Sequence, residues 1–181
     1  LQNRPLQWFY YEDVKTLYIQ GEGYLNGDGL YYKDGTKFDV NIDIENVYIC
    51  PGITQIHEMA AICNPRRVTI PGSVTKFTNM AFANCTNLYT ITIPGSVTSI
   101  DAKAFANCTS LAAVYFTEGV SKIPDNLFRG NISLQFVDFG GVTEIGRYAF
   151  YGCTNLQQIV LPDSVKTVDS YAFGKCISVQ S

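Results

Sequence analysis

From residue 68 onward the apolar and polar positions repeat as one phrase. In its clearest copy Leu88, Ile91, Ile93, Val97, Ile100, Ala104, Phe105 and Cys108 form the apolar set, and most of the intervening positions are Thr, Ser, Asn, Pro or Gly. Ile91-Thr92-Ile93 alternates with period two, the pattern of a half-buried strand, and β-branched residues suit that pleat. Pro94-Gly95 ends the strand with a turn. Val97 and Ile100 predict a second short apolar step. Ala104-Phe105 predicts a third, in a helical or 3-10 turn. The phrase returns at Phe82, Phe105, Phe128, Phe150 and Phe173, separated by 23, 23, 22 and 23 residues. Cys85, Cys108, Asn131, Cys153 and Cys176 follow three positions later; Leu88, Leu111, Leu134, Leu156 and Val179 follow six later. A fixed period of this length marks a solenoid, in which one coil cannot bury its own apolar face and stacks on its neighbours. The strand positions Ile91–Ile93, Val114–Phe116, Val137–Phe139 and Ile159–Leu161 are therefore expected to pair in parallel and in register. Thr92 and Tyr115 would then share one face.

Earlier coils are blurred. Val68 to Phe77 opens a good copy, and Val47 to Ile56 opens another that runs into a shortened Met59-to-Cys63 step. Leu17-Tyr-Ile19 reads as a further strand with a Gly21–Gly23 turn. Residues 24–46 are longer and polar, with turns expected at Asn26-Gly27-Asp28-Gly29 and at Asp34-Gly35. The simplest division is an N-terminal cap and degenerate lead-in over 1–46 and an array of about six coils over 47–181. Trp8, Phe9 and Tyr10 are expected to cover the first coil's core, since solenoids need atypical ends. Val179-Gln-Ser181 falls where a strand would begin, so the array is expected to continue past this chain.

Composition narrows the classes. Of 181 residues 46% are hydrophobic and only 16% charged, a globular balance. The formal charge is −3, and the 13 Lys and Arg are scattered instead of striped, which argues against nucleic acid. Arg66-Arg67 is the sole adjacent basic pair. No run approaches the roughly 18 apolar residues of a membrane helix. Five of the six cysteines (Cys63, Cys85, Cys108, Cys153 and Cys176) share one phase of the repeat, and Asn131 replaces another. A position open to Cys or Asn is a buried turn site, so these thiols are expected to be reduced and structural. Metal binding is the rival reading, because ladder thiols would lie about 5 Å apart. Zinc sites, however, use clustered pairs. Cys50 stands outside the ladder.

The phrase L-x-x-I-x-I-P-x-S-V-T-x-I-x-x-x-A-F-x-x-C, best seen at Leu88–Cys108, resembles the BspA-type leucine-rich repeat of bacterial surface and secreted proteins. The resemblance covers residues 47 to 181, and Lys15 to Gly23 is similar to the lead-in that often precedes such arrays. It implies an α/β-type repeat solenoid: a right-handed, curved leucine-rich-repeat solenoid with a parallel sheet, mostly β with short helical or 3-10 turns. It also implies adhesion or host-protein binding. The Phe128 coil departs from the pattern at Leu127, Asn131 and Phe139-Gly-Gly141, which puts regular curvature in question there.

Catalysis finds little support. His57 beside Glu58 is the single histidine, with no serine or cysteine marked as its partner, and Asp138 and Glu144 are isolated acids. Asn26-x-Asp28 with Asp34 misses the ligand order of a calcium loop. Asn84-Cys-Thr86, Asn107-Cys-Thr109 and Asn131-Ile-Ser133 fit the glycosylation pattern but arise from the repeat itself, as structural turns. No cofactor is expected. Binding is the better reading. If Ile91 and Ile93 point inward, the outward rows are Arg67, Thr90, Ala113, Phe136, Gln158 and Tyr48, Thr69, Thr92, Tyr115, Asp138, Val160. Tyr115, Phe136 and Asp138 form an aromatic–acidic cluster, and Tyr48 and Arg67 extend the candidate concave-face site. The expected role is a non-enzymatic extracellular or cell-surface module for protein recognition, such as of a host extracellular protein, with a glycan as the other ligand class. A structural spacer is the alternative.

Overall fold

The coil is built from three short sides, and each side bonds to the next coil. In the computed structural model, residues 6–25, 43–59, 63–78 and 80–179 are described. The expected turns at Asn26–Gly29 and Asp34-Gly35, and the Asn26/Asp28/Asp34 set, lie outside them.

The first side is one seven-stranded sheet. It runs β1 (Gln7–Tyr11), β2 (Thr16–Gln20), β4 (Asn46–Ile49), β6 (Arg67–Thr69), β8 (Thr90–Ile93), β10 (Ala113–Phe116) and β12 (Phe136–Asp138). From β2 to β12 every pair is parallel. Leu17 faces Val47 and Ile19 faces Ile49, so the sheet runs without a break through residue 46. Ile91 faces Val114 and Thr92 faces Tyr115, the register the repeat predicts. β1 joins antiparallel to β2 and forms the end of the sheet. Its alternation turns Trp8 and Tyr10 toward the core, while Phe9 is 48% exposed. Phe9 thus does not cover the first coil, because neighbouring residues of one strand point to opposite faces.

The second side comprises β3 (Gly23–Leu25), β5 (Ile53–His57), β7 (Lys76–Thr78) and β9 (Ser99–Ile100) in one sheet. β11 (Lys122–Ile123), β13 (Glu144–Ile145) and β14 (Thr167–Val168) form another. Between the first two sides the corner turns stack so closely that a Cβ on Gly95 would collide with the backbone of Glu118. That fixes glycine in the Pro94-Gly95 turn.

The third side is a run of i→i−3 turns, the 3-10 hydrogen-bond pattern without a sustained helix. Cys85 N–H bonds Phe82 C=O at 3.1 Å and Ala106 N–H bonds Lys103 C=O at 2.9 Å. Alternate amides instead reach the following coil: Phe82 to Ala104 (2.7 Å), Asn84 to Ala106 (2.9 Å), Phe128 to Ala149 (2.7 Å) and Gly130 to Tyr151 (2.9 Å). Such a zigzag needs left-handed backbone on either side of each phenylalanine. φ is 63° at Asn84, 58° at Asn107, and 78° at Gly130 and Gly152. Asn and Gly tolerate that region best, and they fill the position two residues after Phe82, Phe105, Phe128 and Phe150; the position two residues before takes Met80, Lys103, Asn126, Tyr148 and Tyr171.

Inside, the phenylalanines form a ring stack. Centroids lie 4.9 Å apart for Phe82–Phe105, 5.4 Å for Phe105–Phe128, 5.2 Å for Phe128–Phe150 and 5.1 Å for Phe150–Phe173. The leucines of the phrase from Leu88 to Leu156 are buried beside them.

One expected strand is missing. Ile159–Leu161 does not join the sheet, and Val160 and Leu161 are 75% and 39% exposed. Its only available neighbour, β12, ends at Asp138. There Asp138 Oδ1 accepts the Gly140 N–H at 3.0 Å and Gly140 turns at φ 49°. The backbone turns away straight after Asp138, and β12 is the last strand of the sheet. The deleted residue and the Gly140-Gly141 pair thus break the repeat where the sequence departs from it.

Phe105 is fully buried between two stacked rings, whereas Phe173 is half-buried and stacks only on Phe150. Phe105→Ala is expected to cost about 3–5 kcal/mol in chemical unfolding, and Phe173→Ala distinctly less. Equal losses would show that the last coil is packed as tightly as the middle one.

Candidate functional site

The outer face of the seven-stranded sheet is built by strand parity. Leu17, Ile19, Val47, Ile49, Ile91, Ile93, Val114 and Phe116 point inward and are buried, so Tyr18, Tyr48, Thr92 and Tyr115 point outward. Register sets two rows. Thr16, Asn46, Arg67, Thr90, Ala113 and Phe136 make one; Phe9, Tyr18, Tyr48, Thr69, then Thr92, Tyr115 and Asp138 make the other.

Tyr115 and Phe136 meet diagonally across β10 and β12. Their centroids are 5.6 Å apart at 48°, and the residues are 39% and 50% exposed. Asp138 lies directly opposite Tyr115. One of its carboxylate oxygens already holds the Gly140 turn, so it serves the backbone as well as the surface. Tyr48 and the exposed Arg67 sit on the adjacent strands β4 and β6, and β8 with its threonines separates them from the Tyr115 group.

At the N-terminal end the sheet carries a larger aromatic group than the sequence reading assigned. Tyr18 and Tyr48 stack at 5.1 Å and 12°, and Tyr11 meets Tyr18 edge-on at 5.6 Å. Phe9, Tyr11, Tyr18, Val14 and Cys50 line a groove of about 500 Å³ there. The signal was present in the alternation Trp8-Phe9-Tyr10-Tyr11, which turns every second ring outward. It was hidden because β1 runs antiparallel and stands outside the repeat. Arg66 adds a cation–π contact with the exposed Tyr89 at 5.2 Å, just off the end of β6.

The repeat itself settles kinship. Residues 58–180 match the family model described as BspA type leucine rich repeat region, in six copies. This chain belongs to the BspA-type leucine-rich repeat family. Among solved structures it is similar to a leucine rich repeat protein of T. pallidum, at 19% identity and TM-score 0.49, over 91% of this chain and 92% of that one. It is also similar to a leucine-rich repeat protein from Eubacterium ventriosum, at 14% identity and TM-score 0.42, covering 97% and 94%. A leucine rich cell surface protein from Faecalibacterium prausnitzii shares 21% identity at TM-score 0.36 over 76% of this chain, which spans 53% of that one. No curated protein matches the chain significantly.

In this BspA-type array the cysteine phase is an interior ladder. Cys63, Cys85, Cys108 and Cys153 are buried and all six thiols are free. Cys108, Cys153 and Cys176 each donate a thiol hydrogen bond to the phenylalanine carbonyl of the preceding coil, Phe82, Phe128 and Phe150, at 3.1, 3.4 and 3.3 Å. Asn131 occupies the same phase fully buried, and its Oδ1 accepts the Cys108 N–H at 2.8 Å. Its amide is therefore out of reach of any glycosylating enzyme in the folded chain. Asn84 and Asn107 hold left-handed turns and bond each other at 3.4 Å. Among the described residues no group of three His, Cys, Asp or Glu side chains could hold a metal. His57 rests against the Tyr24 ring, 5.8 Å between centroids.

Burial pushes the Cys63 and Cys108 thiols up to about 12 and raises those of Cys85 and Cys153 as well. Unfolded thiols titrate near about 8.5. Above that pH the unfolded chain releases protons that the folded chain keeps. The thiol contribution is therefore intact below about pH 8.5 and is lost as pH climbs toward 12. Chemical denaturation midpoints should fall steadily over that window. Alkylation without reductant should leave Cys63, Cys85, Cys108 and Cys153 unmodified in the native chain and modify all four after denaturation. One bridged pair found by mass spectrometry would refute this assignment.

Proposed function

We propose that this chain is a non-enzymatic recognition module, secreted or held at the cell surface, which binds a protein partner such as a host extracellular protein. The binding surface is the outer face of the seven-stranded sheet, with Tyr115 and Phe136 as its main anchors and Tyr48 and Arg67 as its second contact. The observation that carries this reading is the exposed ring pair at 5.6 Å, set beside the small residues Thr90, Thr92 and Ala113 of the neighbouring positions. A sheet surface gains strand propensity from threonine alone; it gains nothing in solubility from two exposed aromatic rings side by side. Interfaces concentrate their energy in a few such anchors, aromatic residues and arginine above all. The β1–β2 tyrosines extend the same face, so a partner strand or loop lying across the coils could touch both groups.

The test is a Tyr115→Ala/Phe136→Ala double variant. Neither side chain enters the core, so thermal unfolding should stay close to that of the parent. Affinity for a partner captured from serum or extracellular matrix should fall by at least about 2 kcal/mol, roughly thirtyfold in Kd. Unchanged affinity in the folded variant would remove these residues from the binding surface.

A further inference from the structure

A second surface lies on the turn side of the last coils, away from the sheet. Three cations, Arg129, Arg147 and Lys175, are exposed there and held by aromatic rings. The Arg129 guanidinium lies 6.0 Å from the Tyr148 centroid and 5.4 Å from that of Tyr151. Arg147 lies 4.9 Å from Tyr148, and Lys175 lies 5.4 Å from Tyr151. Tyr171 stacks on Tyr148 at 5.3 Å and 8° and is 64% exposed. The two shared rings thus tie the three cations into one group.

Three observations point to a ligand. First, none of the three cations forms an ion pair with a carboxylate among the described residues. The nearby acids serve the backbone: Asp125 Oδ1 accepts the Arg147 N–H at 2.9 Å, and Asp169 Oδ1 accepts the Ser170 N–H at 2.6 Å. Arg129 Nη1 donates to Asn126 Oδ1 at 3.3 Å and Arg147 Nη2 to the Tyr148 hydroxyl at 3.4 Å; these partners are neutral and leave both positive charges unneutralised, so a carboxylate or sulfate can still pair with the guanidinium. Second, the chain as a whole is acidic, with a formal charge of −3, so a cationic group of this kind is a local feature and not a general excess. Third, Tyr148 and Tyr171 put aromatic rings in a turn phase that Met80, Lys103 and Asn126 fill in earlier coils, and the Tyr171 ring is left 64% exposed.

We propose that this surface binds an anionic polysaccharide. The cations would take its carboxylate or sulfate groups, and the exposed Tyr171 ring and the tyrosine hydroxyls would contact its sugars. The three unneutralised cations on an otherwise acidic chain select an anionic ligand, and the flat tyrosine rings beside them suit the face of a sugar.

The experiment titrates the intact chain with heparin, with polygalacturonate and with poly-glutamate at low salt. At least one polysaccharide should bind, with affinity falling as salt rises, and which one binds identifies the acid group. Arg129→Gln/Arg147→Gln/Lys175→Gln should weaken that binding at least tenfold, and Tyr171→Ala several-fold. The Tyr115→Ala/Phe136→Ala variant should leave it unchanged, which separates this site from the sheet face. Circular dichroism checks the fold. If the triple variant is unfolded, Arg147→Gln alone should still weaken binding about threefold. Failure of both polysaccharides to bind, or full affinity in the folded charge variants, would overturn the proposal. Poly-glutamate bound as tightly as the polysaccharides would also overturn it and make an acidic protein segment the occupant.

Discussion

No coil of this chain can satisfy its own backbone. On the sheet side, on the short second side and at alternate amides of the turns, backbone groups point along the solenoid axis and find their partners in a neighbouring coil. The buried alternative, an unpaired peptide group, is expensive. Stacking is therefore obligatory, and stacking fixes the spacing between coils. At that spacing the phenylalanine rings fall into face-to-face contact at 4.9–5.4 Å. The thiols also come within reach of the preceding coil's carbonyls. The ladders of like residues follow from the hydrogen-bond period and need no separate explanation.

This dependence explains why the fold was legible in the sequence. A constraint that acts once per coil writes itself into every coil, so Ile91 predicts Val114 and Phe105 predicts Phe128. What escaped the reading lies where the period fails. Phe9 and Tyr11 belong to an antiparallel strand whose phase the repeat does not set. Ile159–Leu161 keeps the apolar letters of a strand but faces β12, which Asp138 and Gly140 close after three residues. Letters alone report what a segment would bury, and the neighbour decides whether it can.

The candidate site was legible by the same rule and to the same extent. Parity alone places Tyr48, Arg67, Tyr115, Phe136 and Asp138 on one outward face, and the register shows which of them touch. The second role of Asp138, as acceptor for Gly140, depends on a backbone turn that alternation does not describe. Likewise the repeat assigns nothing to the tyrosines at 148, 151 and 171, whose contacts with Arg129, Arg147 and Lys175 depend on how the last coils stack.

A solenoid separates these surface features from stability. Its core phases are filled by the repeat, so outward positions can change without disturbing the stack. Outward residues that match the repeat, such as Thr69, Thr90 and Thr92, are explained by strand propensity. Those that break it invite another cause. The rings of Tyr115 and Phe136 interrupt the small residues Thr69, Thr90, Thr92 and Ala113 on one side, and Tyr148 and Tyr171 interrupt a phase of Met80, Lys103 and Asn126 on another. Both interruptions fall in the coils from β10 onward, which places the departures from pattern on two separate sides of the same part of the array. The two groups can then be substituted independently, because one stands on the outer face of the sheet and the other on the turn side of the coil.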